Sequence, residues 1–192
     1  MAEIKGPGSR DWLLENGFVV GDKIDRAYMQ DDGTLVGMLS ADNILFLHED
    51  KDNTAANDRL PMFGSGQTPR EGVYPLPRSQ GSYWFRLSGA PAAEMMSKLC
   101  SVDLRPHKFS NLQIAKTSMV GTTVFIIRRD YDGMLAYHLI GDLSYTSYLW
   151  PVFSEAMREW ARLLAWSVLF RAAMRISNIR DNPNTARIVP GE

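Results

Sequence analysis

The chain has 192 residues, of which 45% are hydrophobic and 22% charged, with a formal net charge of -1. These are the proportions of an ordinary folded domain, and they exclude a disordered, collagen-like or coiled-coil chain. A balance this close to neutral argues against a protein that grips nucleic acid through phosphate contacts. The charge is nonetheless uneven. Residues 1–60 hold 12 acidic and 6 basic side chains and the remainder 10 and 15, which fits ordinary surface chemistry or two faces that meet different partners.

Met1-Ala2-Glu3-Ile4-Lys5 is followed by no apolar core, so no secretory leader is expected. Ser9 to Asn16 reads as a short helix, with Ser9 as N-cap, Trp12 and Leu13 as its apolar side and Gly17 as its stop. Thr34 to Leu39 and Ile44 to His48 read as two strands joined through Ser40-Ala41-Asp42-Asn43. From Glu49 to Gly72 the chain is polar and rich in Gly, Pro, Asn and Asp, which predicts an exposed loop. A loop of about 20 residues is uncommon unless it is functional.

Ser82 to Leu87 predicts an aromatic-rich strand, and Pro91 presets the start of a helix that runs to about Leu99. Leu112 to Ser118 and Thr122 to Arg129 form a hairpin turning at Val120-Gly121, followed by a strand at Ala136 to Ile140. A long helix is expected from Ser144, its N-cap, to Ile176, with a kink or restart at Pro151. Helices mixed with adjacent antiparallel strands define an α+β class rather than a parallel α/β sheet. Residues 1–72, 73–160 and 161–192 read as three segments of one compact unit.

The chemistry-bearing residues are sparse. His48, His107 and His138 have no second His or Cys at metal-ligand spacing, so no metal site is expected. His48 and His138 fall on strands, as hydrogen-bonded structural histidines do. Cys100 ends a helix beside Leu99, the setting of a buried inert thiol rather than an activated one. With a single cysteine no intrachain disulfide can form, which fits a reducing, cytoplasmic setting. Gly6-Pro7-Gly8 and Gly64-Ser65-Gly66 lack the spacing and context of a phosphate loop. Asp130 and Asp132 share a turn, where such pairs are usually solvated.

One region carries a resemblance. Leu87-Ser88-Gly89, Val102-Asp103-Leu104 with Phe109, Lys116-Thr117, Val124 to Arg128 and Tyr148-Leu149-Trp150 occur in that order across about 80 residues from Tyr83. A weaker match runs through Leu39-Ser40-Ala41-Asp42-Asn43-Ile44-Leu45. In this it resembles the gamma subunit of heterotetrameric sarcosine oxidase and the matching subunit of N-methyl amino acid dehydrogenases such as N-methylglutamate dehydrogenase. That family looks like a partial copy of the glycine cleavage T protein, the folate-binding aminomethyltransferase.

The T protein signature is Arg-x-Tyr-Thr-Gly-Glu-x-Gly-(Phe/Tyr)-Glu, and the run here is Arg129-Asp130-Tyr131-Asp132-Gly133-Met134-Leu135-Ala136-Tyr137-His138. Both glutamates are replaced, by Met134 and His138. A carboxylate accepts strong hydrogen bonds from a pterin, whereas a thioether is at best a weak acceptor. Arg129, Tyr131 and Tyr137 are the folate-side candidates that the resemblance implies; the alternative is that Arg129, Tyr131 and Gly133 only shape a hairpin.

The resemblance implies an aminomethyltransferase-like fold and a non-catalytic gamma-type subunit of a complex that oxidises a secondary N-methyl amine. Its partners would be alpha-, beta- and delta-type subunits, with no nucleic acid and no membrane. This chain would hold no cofactor, while FAD, FMN, NAD and tetrahydrofolate are implied for the whole complex. The alternative is a stand-alone folate-binding aminomethyltransferase-like protein.

Beyond Trp160 the resemblance fades. The apolar run Leu163 to Phe170, between Arg162 and Arg171, falls short of the roughly 20 residues that span a bilayer. On a helix, Phe153, Met157, Trp160, Leu164 and Val168 form one stripe, and Leu163, Trp166, Phe170 and Ala173 a second. Either the domain's own core wraps this helix, or one stripe docks on a partner, with Trp160, Leu163, Trp166 and Phe170 as interface candidates.

Overall fold

The structure, a computed structural model, describes residues 1–49, 70–76, 78, 81–164 and 175–178, with side chains described as far as residue 158. It is an α+β chain with two antiparallel sheets. The chain divides into two compact units, Met1–Gly81 and Ser82–Glu192.

The first unit contains β1 (Ala2–Lys5), α1 (Ser9–Glu15), β2 (Arg26–Met29), β3 (Leu35–Ser40), β4 (Asn43–Leu47) and β5 (Tyr74–Leu76). Its sheet order is β2-β3-β4-β1-β5. The predicted β3–β4 hairpin is present, and Ser40 Oγ donates to Asp42 at 2.6 Å within its turn. Period-two alternation sends Val36, Met38, Ile44, Phe46 and Ile4 to one face, where they pack against Trp12 and Leu13 of α1 and Phe18. Gly17 ends α1 at φ +72°. The cap is not Ser9, however. The first i→i+4 bond runs from Trp12 N–H to the Gly8 carbonyl, so Gly8 is the N-cap and Ser9 already lies inside the helix.

Three strands of this unit escape the sequence reading. β1 and β2 are four residues each, too short for a periodic signal, and β5 contains Pro75. Pro75 sits opposite Ile4 on the outermost strand of the sheet, the place where a proline's missing N–H is tolerated. Of the expected long loop, residues 50–69 lie outside the described residues.

The second unit contains β6 (Ser82–Ser88), α2 (Ala92–Ser97), β7 (Ile114–Met119), β8 (Thr122–Arg128), β9 (Ala136–Asp142), a 3₁₀ turn (Leu143–Tyr145), α3 (Thr146–Leu164) and β10 (Arg175–Asn178). Its sheet order is β10-β6-β9-β8-β7. The β7–β8 hairpin turns at Val120 and Gly121, both at positive φ (42° and 80°), as a two-residue primed turn requires. Tyr83, Phe85, Leu87, Val124, Ile126, Tyr137 and Leu139 fill one face and pack against Met95 and Met96 of α2 and Leu149, Phe153 and Met157 of α3. Each large side chain buried there contributes about 1.5–3 kcal/mol relative to exposure. Phe85 meets Phe153 edge to face at 5.7 Å.

The long helix differs from expectation at both ends. The helix starts at Thr146, and Ser144 lies inside the 3₁₀ turn ahead of it, a turn capped by Asp142, whose carboxylate accepts from Ser144 N–H at 2.9 Å and from Ser144 Oγ at 2.6 Å. α3 then continues through Pro151, the irregular first turn lying ahead of it. Ile176 belongs to β10, paired with Leu87, rather than to a helix. The side chains of Trp160 and Leu163 lie outside the described residues, as do Trp166 and Phe170 altogether.

Candidate functional site

The face of the second sheet turned away from α2 and α3 carries the clustered chemistry. Strand alternation places Trp84 and Arg86 of β6 on this face, and the register sets Arg86 opposite His138 of β9. β8 continues into a tight turn. Tyr131 N–H donates to the Met134 carbonyl at 3.0 Å and Met134 N–H to the Tyr131 carbonyl at 2.8 Å. Asp132 (φ 50°) and Gly133 (φ 79°) occupy the two positions that need a left-handed backbone. The turn folds Tyr131 back over His138, seven residues on.

The result is a hydrogen-bonded row. Trp84 Nε1–H donates to His138 Nδ1 at 2.9 Å, and His138 Nε2 lies 2.8 Å from Tyr131 Oη. An indole N–H can only donate, so Nδ1 is bare and the imidazole hydrogen sits on Nε2, donating to the phenol oxygen. His138 is fully buried, and its pKa is pushed down to about 3 by desolvation first and then by the Arg129 and Arg86 charges. It is a neutral, fixed imidazole rather than an acid or base poised near neutral pH.

Two guanidinium groups flank the phenol. Arg129 Cζ lies 4.6 Å and Arg86 Cζ 5.1 Å from the Tyr131 ring centroid, within cation–π range. Two of the three residues singled out from sequence, Arg129 and Tyr131, are thus brought together. Tyr137 is not with them. It belongs to the opposite, helix-covered face, where it is buried and its hydroxyl donates to the Leu104 carbonyl. Burial pushes that phenol's pKa up.

Sequence reasoning missed Trp84 and Arg86 as members of this cluster. Their period-two spacing in β6 was visible, but the register that sets them beside His138 was not.

The turn is braced from behind. Arg128 forks onto Asp130 through Nε and Nη2, and its Nη1 donates to the carbonyls of Pro106 at 3.1 Å and Phe109 at 2.6 Å. Asn111 Oδ1 accepts from the backbone N–H of both Leu112 and Asp130. Leu112, held at φ 65°, is in a conformation that bulky residues seldom adopt.

Other sequence candidates are structural. His48 Nδ1 is 3.2 Å from Thr34 Oγ1. Cys100 is buried, and burial raises its thiol pKa away from reactivity. Among the described residues no group of His, Cys, Asp and Glu is arranged to hold a metal ion. No helix among them is long and apolar enough to cross a membrane.

A pair of antiparallel sheets with helices on the core face of the second, and a cation-flanked phenol on its other face, defines the class of fold. No family model matches the chain, and no curated protein matches it. Among solved structures it is similar to heterotetrameric sarcosine oxidase from Corynebacterium sp. U-96 in complex with pyrrole 2-carboxylate. The TM-score is 0.66 at 22% identity, over 82% of this chain and 78% of that chain. The two share a fold.

Proposed function

We propose that this chain is a non-catalytic, gamma-type subunit of a cytoplasmic, multi-subunit, flavin-dependent complex of the sarcosine oxidase kind. The complex oxidises a secondary N-methyl amine and passes the one-carbon unit to tetrahydrofolate. Flavins, NAD and tetrahydrofolate reside on partner subunits of alpha and beta type, with a delta-type chain completing the assembly. The observation that carries this reading is the fold shared over 82% of the chain with a chain of heterotetrameric sarcosine oxidase.

The chemistry of the cluster supports it. The residues at the Tyr131–Met134 turn do not fit a pterin anchor. Met134 offers only a weak acceptor, and His138 has both ring nitrogens engaged, by Trp84 and Tyr131. The imidazole is built to hold a tyrosine in place rather than to shuttle protons.

The deciding experiment is native mass spectrometry of the tagged chain isolated from its own host. A stable assembly with a flavin-bearing chain is expected. A chain that travels alone, or that turns over a methylated amine unaided, would falsify the reading.

A further inference from the structure

We propose that Asn16 is a modification site held latent by the fold. Its side-chain amide is lost spontaneously, through attack by the Gly17 backbone nitrogen, when the end of α1 opens, and the product weakens the first unit. The inference is independent of the proposed subunit role.

The sequence supplies the chemistry. Of the eight asparagines, only Asn16 is followed by glycine. Glycine has no Cβ to hinder its own nitrogen, and it enters backbone conformations that other residues avoid. In the reaction the Gly17 nitrogen gives its hydrogen to hydroxide and bonds to Asn16 Cγ. The Cγ–Nδ2 bond breaks, and ammonia leaves. The five-membered succinimide so formed takes up one water at either carbonyl. One product is aspartate; the other is isoaspartate, with the main chain rerouted through the side chain. No oxidant and no enzyme is required. Both residues are exposed, so water and hydroxide reach them.

The fold supplies the gate. Gly17 N–H donates to the Leu14 carbonyl at 3.2 Å and Phe18 N–H to the Leu13 carbonyl at 3.0 Å, with Gly17 at φ +72°. This is the paired closure of a helix end around a left-handed glycine. Asn16 adds two bonds to the Trp12 carbonyl, from its backbone N–H at 3.1 Å and from Nδ2 at 2.8 Å. At ψ 16° the Asn16 Cβ and the Gly17 nitrogen stand well apart about the Cα–C bond, whereas a near-planar succinimide needs them close to eclipsed. Ring closure therefore waits on the opening of these bonds, which helix ends undergo far more readily than a core does.

The same closure tethers Phe18, which is 3% exposed and lies 6.0 Å from the Trp12 ring and 5.4 Å from the Phe46 ring. Aspartate at this position removes the Nδ2 donor. It also sets a second carboxylate beside Glu15, at the end where the helix dipole is already negative. Isoaspartate lengthens the main chain by one carbon, so the Gly17 and Phe18 bonds cannot both re-form.

The test is ageing of the full-length chain in mildly alkaline buffer, folded and in concentrated urea, with conversion at each asparagine followed by peptide mass mapping. In urea Asn16 is expected to convert before any other asparagine. In the folded chain it is expected to convert at least about tenfold more slowly, and faster again in mild urea below the main transition. Aged folded chain should unfold at a lower denaturant midpoint than fresh chain. Asn16→Gln, whose longer side chain cannot close a five-membered ring, should keep the midpoint of its own fresh sample.

Equal rates at Asn16 in folded and unfolded chain overturn the gate, and with it the inference. So does another asparagine converting first in urea, or a folded chain in which Asn16 never converts. Conversion that leaves the midpoint unchanged, or an Asn16→Gln variant that loses stability on ageing as the wild type does, overturns the consequence drawn for the first unit.

Discussion

The indole N–H of Trp84 donates to Nδ1 of His138 at 2.9 Å, and this one bond decides the state of the whole row behind the hairpin tip. It leaves Nδ1 bare, which places the hydrogen on Nε2 and directs it at Tyr131. Protonating Nδ1 would turn two donors against each other in a buried site beside Arg86 and Arg129.

The folded-state pKa of about 3 for His138 lies below the roughly 6.5 of an unfolded histidine. Between those values the unfolded chain binds more protons than the folded one. Stability therefore falls as pH drops from about 6.5 towards 3, by up to roughly 1.4 kcal/mol per pH unit, and His138 adds no dependence above that window. Denaturant melts from pH 8 to 4 should show this slope, and His138→Gln should remove it. An imidazole that titrates near 6.5 by NMR in the folded chain would sink the assignment.

Gly141 is a packing requirement. A Cβ there would lie 2.5 Å from the Tyr83 hydroxyl oxygen, 2.6 Å from Cζ and 2.7 Å from Cε1. Tyr83 is fully buried, its pKa pushed up to about 12 by desolvation first, so its ring has little room to move. Gly141→Ala should cost about 1–3 kcal/mol and lower Tm by several degrees. Adding Tyr83→Phe should not restore it, since the ring carbons remain in the way.

Glu3 is a buried carboxylate on β1, with Lys5 Nζ at 3.2 Å and the Arg78 guanidinium bonded to its other oxygen. The two cations are far more exposed, at 46% and 35%, and stay hydrated if Glu3 is lost. Arg78→Ala should therefore destabilise more than Glu3→Gln does, by about 1–2 kcal/mol, because it leaves a charge buried with one partner fewer. Chemical denaturation of the pair of variants tests the order.

Arg128 binds a carboxylate and two carbonyls at once, which a lysine cannot copy. Arg128→Lys is expected to cost about 2–3 kcal/mol and to speed amide exchange at Leu112 and Asp130. Unchanged exchange at both amides would show that the brace is not needed.

The elements with strong local chemistry were legible in the sequence. Val120-Gly121 specified its hairpin, the aromatic run of β6 its strand, and Pro91 with the residues after it a short helix. β1, β2 and β5 were not legible, because strands of three or four residues draw their stability from neighbours rather than from their own pattern. Ile176 illustrates the same point, since an apolar helical periodicity around it gives way to pairing with Leu87. In the candidate site, Arg129 and Tyr131 were readable from their motif. Tyr137 was not separable from them, because adjacent strand residues face opposite ways and only the register says which face is covered.

Pro75 has a consequence for self-association. Outer strands invite neighbours to extend a sheet, which is how many folded chains begin to aggregate. With an imide where an amide would be, the β5 margin cannot supply a full set of donors to an incoming strand. Replacing Pro75 would reopen that margin, and the first sign would be turbidity rather than lost stability.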